Sequence, residues 1–281
     1  MQDIDNLQKS ITVGTLHTKA APFVYQSSLY QILLFDQEAI VQIDFIPYVI
    51  PPQSILFLSP YQHLSFTGDI TVQTQRLRFH GDYYCIEYHK KEVACNGILF
   101  NNIYVQPYVT VPLPLFHQIE EIFLKIENEI KPIYQHSDAI IKAYLQLILA
   151  LCSKEKKSIM KDFLPLELQD NTLAYQFQRE LERAFRQQKT VVYYADQAHL
   201  SVDRFSKKIK QQLGKPPSTL IQERTILEAK KMLHLTYLPI KEIAEQLHFH
   251  DEHYFSRYFK KHVGISPSQY REQVGISIVA K

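Results

Sequence analysis

Two clusters of basic side chains in the last third of the chain could bind phosphate oxygens or the edges of nucleobases. Their members are Arg204, Lys207, Lys208 and Lys210 in the first cluster and His253, Arg257, Lys260 and Lys261 in the second. Guanidinium and ammonium groups donate hydrogen bonds to phosphate, and also to O6 and N7 of guanine. The same residues are common on a solvated helix face, so the elements that carry them must decide between the two interpretations.

These clusters belong to a repeat with a period of about fifty residues. The segment Ala195–Leu200 aligns with Ala244–Phe249, and further on Phe205–Lys207 aligns with Phe255–Arg257. The offset is 49 residues in the first segment and 50 in the second, so the second copy has one extra residue near its turn. A repeat of this size predicts that one supersecondary motif occurs twice.

Each copy predicts a first helix that is followed by a tight turn. Apolar residues in this helix recur at i, i+3, i+4 and i+7, which gives the helix one apolar face. These residues are Val191, Tyr194, Ala195 and Ala198 in the first copy and Ile240, Ile243, Ala244 and Leu247 in the second. The alanine at the third of these positions leaves room for the following helix to cross closely.

A second helix is predicted over 202–213 in the first copy and over 252–263 in the second. Capping residues at the N-termini and glycines at the C-termini support these bounds. The capping residues are Ser201 and Asp251, and the glycines are Gly214 and Gly264. In each helix an apolar pair at i, i+4 faces the core, and the basic cluster lies on the opposite face. Such a helix after a tight turn is typical of the recognition helix of a helix-turn-helix motif.

A further helix is predicted between the copies, from Pro217 to about Leu235. Proline is suited to the first helical turn. A helix of this length spans roughly 28 Å. Two recognition helices held that far apart could enter successive major-groove faces on one side of DNA, where the repeat is ~34 Å, with the DNA bent if needed.

Residues from about 176 to 275 resemble the DNA-binding domain of the AraC/XylS family of transcription regulators. The residues that carry the resemblance are Ala195-Asp196, Phe205–Lys208, Arg224, Ala229–Leu233, Ile240–Ala244, Phe249–Lys261, Gly264 and Ser266–Arg271. The chain departs from the family pattern at His248, where the family usually has Gly, and at His253, where it usually has Ser. The first departure implies a turn that tolerates a side chain, and the second places an imidazole near the start of a recognition helix.

The resemblance implies which side chains contact DNA. Base contacts would come from Asp203, Ser206 and Lys207 in the first copy and from Glu252, His253 and Arg257 in the second. Phosphate contacts would come from Arg204, Lys208, Lys210, Lys260 and Lys261. The chemistry agrees, because Arg257 and Lys207 can donate to guanine and Glu252 can accept from cytosine N4.

Charge is divided unequally along the chain. Residues 176–281 hold 18 Lys and Arg against 11 Asp and Glu, whereas residues 1–175 hold 13 against 18. A net charge of only +2 therefore combines a basic C-terminal part with an acidic N-terminal part. This asymmetry suits a phosphate-binding domain joined to a domain that should not bind DNA.

The remaining composition indicates a cytoplasmic protein without a membrane partner. No apolar run is long enough to span a bilayer, and the segment 1–19 lacks a signal-peptide core. An odd, small number of cysteines fits a reducing compartment. Cys85 and Cys95 could in principle pair as a redox sensor, but thiols without a basic neighbourhood are usually structural, and Cys152 is expected to be buried.

The predicted fold class is α+β, with an N-terminal cupin-like β-barrel or sandwich, helices after it, and an all-α C-terminal domain with two helix-turn-helix motifs. Stretches rich in β-branched and aromatic residues, separated by turn residues, predict the strands. They are Leu29–Phe35, Ala39–Pro47, Ser54–Leu58, Ile70–Phe79 and Tyr83–Tyr88. The segment 51–60 is similar to the turn and strand of a cupin-like barrel, the usual N-terminal domain of the family.

The domain boundaries follow from these patterns. We expect a sensory or dimerisation domain over 1–153, with strands to about 101 and helices over 112–153. A linker is predicted over 154–172 and the DNA-binding domain over 173–281, opening with a helix to about Gln188. In many family members the helices after the barrel form a homodimer contact, but here they could equally pack on their own barrel.

The predicted function is a sequence-specific transcription regulator that binds double-stranded promoter DNA, with RNA polymerase as the partner that the resemblance implies. The direction of regulation stays open between activator and repressor, and the N-terminal domain would act through a small-molecule effector or dimerisation. One alternative is a ligand-independent DNA-binding protein. The other is a cupin-type enzyme with a DNA-binding tail.

The enzyme alternative is disfavoured by the histidine pattern. A metal cupin needs a His-X-His pair with further ligands, and none occurs before residue 248. His248, His250 and His253 lack further ligands in register for zinc, so we expect turn and DNA-facing roles for them. The sequence therefore predicts no catalytic residue, cofactor or metal.

Two arginines of the N-terminal domain allow two interpretations. Arg76 and Arg78 alternate with the apolar Leu77 and Phe79. They face either an anionic effector or the solvent side of a sheet, and the solvent side is the simpler expectation. Barrels of this size often hold one small molecule, but the sequence does not identify the residues that would line its pocket.

Overall fold

The chain divides into two compact units. The β unit comprises 1–102 and 106–157, and the helical unit comprises 103–105 and 158–281. The computed structural model describes residues 10–17, 23–44, 46–66, 73–84, 98–100, 103–130, 136–163 and 172–275. All the strands that the structure describes lie in the β unit, so an N-terminal part with sheets is combined with a helical C-terminal part, as the α+β prediction requires.

The β unit contains two antiparallel sheets. The five-stranded sheet has the order β1-β8-β3-β6-β9, and the four-stranded sheet has the order β2-β7-β4-β5. The strands are β1 (Ile11–His17), β2 (Phe23–Tyr25), β3 (Tyr30–Phe35), β4 (Ala39–Ile43), β5 (Ile46–Ile50), β6 (Ser54–Leu58), β7 (Leu64–Phe66), β8 (Gln73–Phe79) and β9 (Tyr108–Thr110). Among the described strands, none of one sheet pairs with a strand of the other, so they form a sandwich and not a closed barrel.

The core of the β unit lies between the two sheets. Leu33 and Phe35 of β3 belong to one buried cluster with Val41 of β4 and Leu64 of β7. Successive side chains of a strand point to opposite faces, so the buried Ile32 lies on the other face of the five-stranded sheet. Both faces of this sheet are therefore covered, which explains why β3 is apolar along almost its whole length.

Two of the predicted strands need correction. The stretch Ala39–Pro47 forms the hairpin of β4 and β5, because Asp44 takes a positive φ of 49° and its carboxylate accepts the backbone N–H of His63 at 2.9 Å. Asp tolerates this conformation, so the turn leaves little signal in an apolar run. Tyr83 and Tyr84 lie in a turn after β8, so the described part of the predicted strand Tyr83–Tyr88 is wrong.

The other strand predictions agree with β3, β6 and β8 within the described residues. Positions 70–72, 85–88 and 95 lie outside them, and so do the predictions made for Cys85 and Cys95. The sequence did not predict β1, β2, β7 and β9. Three of these strands are only three residues long, too short for a period of two to be recognised.

Two helices follow the sheets, as the apolar stripes predict. They are α1 (Leu113–Ile130) and α2 (Ser137–Phe163), and α1 contacts β1. Helix α2 continues into the segment that the sequence assigns to a linker, and Lys156 is buried there and donates to the backbone oxygen of Gln106 at 2.6 Å.

Cys152 is buried as predicted. None of the helices within the described ranges is both long and apolar enough to cross a membrane.

Candidate nucleic-acid interface

Seven helices follow one another in the described part of the helical unit. They are α3 (Leu173–Ala184), α4 (Val191–Gln197), α5 (Val202–Leu213), α6 (Pro217–Leu235), α7 (Ile240–Gln246), α8 (Glu252–Val263) and α9 (Pro267–Val274). The bounds of α5, α6 and α8 agree with the prediction, whereas α3 ends four residues early. Helix α9 was missed, although Ser266 and Gln269 form the reciprocal capping contacts that begin it.

The turn of the first copy is held by its backbone. His199 takes a left-handed φ of 53°, and the N–H of Leu200 donates back to the oxygen of Ala195 at 3.0 Å. The hydroxyl of Ser201 then accepts the N–H three residues ahead at 3.4 Å. These contacts direct the chain from α4 into α5, and the predicted cap is confirmed.

The turn of the second copy has the same backbone path with one residue more. His248 takes a φ of 54°, and the N–H of Phe249 donates to the oxygen of Ala244 at 2.9 Å. The extra residue is His250, which stands between Phe249 and the cap Asp251. The Asp251 carboxylate accepts the N–H three residues ahead at 2.6 Å. The turn therefore tolerates a side chain at position 248, as its departure from the family pattern implies.

Both recognition helices end at a glycine in the left-handed conformation. Gly214 has a φ of 73° after α5, and Gly264 has a φ of 91° after α8. Each glycine donates its N–H to the carbonyl four residues back, at 2.9 Å and 2.8 Å respectively. Glycine is favoured here because a Cβ destabilises this conformation.

Aromatic rings hold each recognition helix against its partner helices. In the first copy, Phe205 of α5 packs edge to face on Phe177 of α3, with ring centroids 5.5 Å apart. In the second copy, Phe255 of α8 lies 5.2 Å from Phe249 in the preceding turn. Phe205 and Phe255 are buried and correspond in the repeat, so they orient the opposite faces of both helices toward solvent.

Helix α6 connects the two copies as a common axis. It contacts α4 and α5 of the first copy and α7 and α8 of the second. Its buried residues include Ile221, Thr225 and Ala229, and the Thr225 hydroxyl donates to the oxygen of Ile221 at 2.9 Å. The two recognition helices therefore belong to one packed body.

A charge network centred on the half-buried Arg224 joins α6 to α3. Arg224 donates to Glu182 at 2.8 Å and to Glu228 at 3.1 Å, and its guanidinium lies 3.9 Å from the ring centroid of Phe185. Arg186 donates to Glu228 at 2.6 Å. Burial opposes the charge on Arg224, but its hydrogen bonds to the two carboxylates outweigh this and raise its pKa. Arg224 is thus a structural cation, a role that the sequence did not predict.

Lys189 joins the first copy to the turn of the second. Its ammonium donates to the backbone oxygens of Arg186 and Leu247, both at 2.5 Å, and lies 4.7 Å from the ring centroid of Phe249. Helix C-termini attract cations, because their last carbonyls lack partners. Burial lowers the pKa of Lys189 to about 8. Nothing in the local sequence distinguishes this lysine from the exposed ones.

The short segment 103–105 also belongs to the helical unit. The Tyr104 hydroxyl donates to Glu182 at 2.8 Å, and Lys215 donates to the backbone oxygen of Ile103 at 3.2 Å. Burial raises the pKa of Tyr104, and the adjacent Glu182 carboxylate acts in the same direction. This attachment depends on tertiary packing, so the sequence does not reveal it.

The predicted DNA-contacting side chains lie on the outer faces of the two recognition helices. Ten of these eleven residues are exposed, and Ser206 is half-buried. The exposed ones are Asp203, Arg204, Lys207, Lys208, Lys210, Glu252, His253, Arg257, Lys260 and Lys261. Within the described ranges, the lysines and arginines of this set form no ion pair, whereas Arg186, Lys215 and Arg224 do. The structure thus separates structural cations from cations that remain available to a ligand.

Two capped helices that cross after a tight turn, repeated about a common axis helix, define a helix-turn-helix DNA-binding domain. Residues 194–273 match the family model described as a helix-turn-helix domain. This part of the chain is similar to the DNA-binding domains of AraC/XylS-type regulators.

Two curated proteins and one solved structure are similar to parts of this chain. The arabinose operon regulatory protein of Escherichia coli K12 is 40% identical over 72 residues, which are 26% of this chain and 25% of that protein. The regulator YisR of Bacillus subtilis is 30% identical over 128 residues, 42% of this chain and 45% of that protein. The solved C-terminal domain of AraT from Geobacillus stearothermophilus is 31% identical, with a TM-score of 0.35, and the match covers 40% of this chain and 90% of that one. The chain thus spans less than half of the curated relatives that it matches.

Proposed function

We propose that this protein is a sequence-specific transcription regulator that binds promoter DNA with both recognition helices. The observation that carries this proposal is the separation of charges in the helical unit. Arg186, Lys215 and Arg224 are paired with carboxylates, and Lys189 donates to backbone oxygens. The cations on the outer faces of α5 and α8, in contrast, have no ion-pair partner among the described residues. A surface that gains from phosphate contact is expected to carry such cations.

The roles of individual side chains follow from their position along the recognition helices. Asp203, Ser206 and Lys207, and in the second copy Glu252, His253 and Arg257, lie toward the N-terminal parts of α5 and α8, where base edges are contacted. The phosphate contacts are assigned to the remaining exposed cations of the two faces. They are Arg204, Lys208, Lys210, Lys260 and Lys261.

The β unit supplies regulation in this proposal. A cupin-like sandwich after which two helices follow could bind a small-molecule effector or form a homodimer, and either event would change how the two recognition helices meet DNA. RNA polymerase is the expected protein partner on a promoter, and the cytoplasm is the expected compartment. The names of the matched relatives describe regulators of transcription, which supports a role without catalysis.

The test is a selection of bound sequences from a random DNA pool with the full chain. We expect an enriched motif of two boxes about ten base pairs apart, centre to centre. Arg257→Ala should remove the enrichment in one box only, because a single recognition helix loses its guanine-specific donor. Arg179→Ala on the exposed side of α3 is the matched control and should leave the motif unchanged. Binding without any enriched motif would contradict the proposed function.

A further inference from the structure

The two recognition helices differ in charge at one equivalent position. With the offset of 50 residues that aligns Phe205 with Phe255, Asp203 of α5 corresponds to His253 of α8. Both side chains are exposed, and each lies in the first turn of its helix. The first copy therefore presents a carboxylate where the second copy presents an imidazole, and α5 contains no histidine at all.

His253 lies one helical turn before Arg257. Residues four apart in a helix are neighbours on its surface, so the imidazole stands beside the guanidinium on the outer face of α8. The opposite side of the helix is buried, through Phe255, Phe259 and Val263. His253 is therefore directed to the same ligand as the residue that we propose to contact guanine.

No described partner fixes the charge of His253. Helix α8 packs against α6, α7 and α9. The charged or titratable residues of those helices are Glu223, Arg224, Glu228, Lys230, Lys231, His234, Lys241, Glu242, Glu245, Tyr270, Arg271 and Glu272. Within the described ranges, none of them forms an ion pair or a hydrogen bond with His253, and neither does any residue of α8 itself. The charge on this ring can therefore respond to a ligand that approaches the outer face.

The turn before α8 adds groups of both signs. His248 and His250 are exposed, and so is Asp251, whose carboxylate accepts the backbone N–H of Tyr254 at 2.6 Å. The Lys189 ammonium donates to a backbone oxygen of the same turn. The carboxylate of this turn is thus bound to the helix N-terminus and not to an imidazole.

Protonation changes what an imidazole offers to DNA. Histidine ordinarily changes its charge between pH 5 and 8. A neutral ring has one donor and one acceptor, whereas an imidazolium has two donors and a positive charge. Phosphate oxygens and the O6 and N7 atoms of guanine are acceptors. A carboxylate has no donor to offer them, so at this position only the second copy gains from protonation in this range.

We propose that His253 makes DNA binding by the second recognition helix dependent on pH, whereas the first recognition helix binds DNA independently of pH in the same range. The second helix takes up a proton on His253 when it binds, since acceptors of DNA favour the imidazolium over the neutral ring. Affinity is therefore highest at the acidic end of the range and falls as the pH rises through it. This inference rests on the proposed function, because it concerns the regulation of the same site.

The experiment measures binding of the full chain to the selected two-box duplex at about pH 6 and about pH 7.5, at constant ionic strength. The upper value stays below 8, because burial lowers the pKa of Lys189 to about 8. A hydrogen bond from a charged donor is about twice as strong as one from a neutral donor. We therefore expect binding to be about fivefold tighter at the lower pH.

Four variants locate the proton. His253→Gln keeps a polar side chain that does not titrate, and His253→Asp gives the second copy the side chain of the first. Both should lose the fivefold gain, and both should fold, because the position is exposed. His117→Gln, at an exposed position of α1, and His250→Gln, in the turn before α8, are the controls and should keep the gain.

A scrambled duplex distinguishes the two kinds of acceptor. The second box is the one whose enrichment Arg257→Ala removes. If scrambling this box removes the gain, the imidazolium contacts a guanine edge. If the gain persists on the scrambled duplex and is lost in His253→Gln, the imidazolium contacts a phosphate.

Three results would overturn the proposal. They are equal affinities of the wild type at both pH values, a gain that His253→Gln or His253→Asp keeps, and a gain that either control loses. Enrichment of a two-box motif at about pH 7.5 tests the proposed function separately, so the two failures are distinguishable.

Discussion

The two helix-turn-helix copies share a framework and differ in the chemistry that they present. Both have a histidine with left-handed φ in the turn, a capped recognition helix, a buried phenylalanine and a terminal glycine. The first copy exposes Asp203 and Lys207 near the start of its recognition helix, whereas the second exposes Glu252, His253 and Arg257. The two copies thus share the residues that fix the fold of the motif and differ in the residues proposed to contact bases.

The difference suggests unequal contributions to specificity. Arginine presents a planar fork that matches guanine with two hydrogen bonds, whereas lysine is a point charge on a flexible stem. The second copy also has tighter anchoring, through the short Asp251 cap and the contacts of Lys189 with its turn. We therefore expect the second copy to discriminate bases more strongly, and the first to depend more on phosphate contacts.

The largest expected effect tests whether the two frameworks are equivalent. Phe205→Ala and Phe255→Ala should each lower the free energy of unfolding by about 3–5 kcal/mol, since both rings are fully buried. Urea unfolding followed by circular dichroism measures both losses. Val202→Ala, at an exposed position, is the control. If only one of the two variants loses less than about 1 kcal/mol of unfolding free energy, the two copies are packed differently.

The next effect tests whether the copies differ in specificity. Arg257→Ala should reduce discrimination against a wrong base pair by about 1–3 kcal/mol, and Lys207→Ala should reduce it by less. Competition binding between the selected duplex and single-base variants measures this quantity. Equal losses of discrimination in the two variants would refute the proposed asymmetry.

A smaller effect concerns the helix caps. Asp251→Ala should destabilise the chain by about 1 kcal/mol, and Ser201→Ala by less, because the carboxylate also interacts with the positive end of the helix dipole. Thermal unfolding of both variants tests the order. Ser201→Asp gives the first copy the carboxylate cap of the second, and it should raise the thermal unfolding temperature of the chain.

The smallest effect is the pH dependence that Lys189 introduces. Burial lowers its pKa from the ordinary 10.5 to about 8. Between these pH values the unfolded chain binds more protons than the folded chain, so the Lys189 contribution makes stability rise with pH from about 8 to 10.5. Solvent screening limits the rise to about 1 kcal/mol.

Lys189→Met should remove this rise, whereas the exposed Lys241→Met should leave it in place. Urea unfolding at several pH values measures the difference between each variant and the wild type. The measured quantity is the free energy of unfolding of the wild type minus that of Lys189→Met. If this difference falls as the pH rises through the window, the assigned burial of the ammonium is wrong.

The helical unit was more predictable than the β unit, because its signals are local. The residues Ser201, Gly214, Asp251 and Gly264 mark helix ends within a few positions, so the bounds of α5 and α8 could be derived from sequence. Strand pairing is not local. The register that places Arg78 opposite Gln31 depends on chain segments far apart, so the sequence could not show that the two side chains share a face of the sheet.

The candidate site shows the same limit. The repeat and the family pattern identify the exposed cations of α5 and α8. They do not identify Lys189 as a structural cation, because its partners are backbone oxygens in two separate turns. A cation's role depends on what packs around it, and composition alone leaves that open.

The most direct test of the central claim is binding of the full chain to the selected duplex with either box scrambled, at two salt concentrations. If each copy contacts its own box, scrambling either box should weaken binding. In Arg257→Ala, scrambling one box should no longer weaken binding, whereas scrambling the other box should weaken it as in the wild type. If both scrambled duplexes bind as well as the intact one and only salt changes the affinity, the two helices contact phosphates alone. That result would contradict the account.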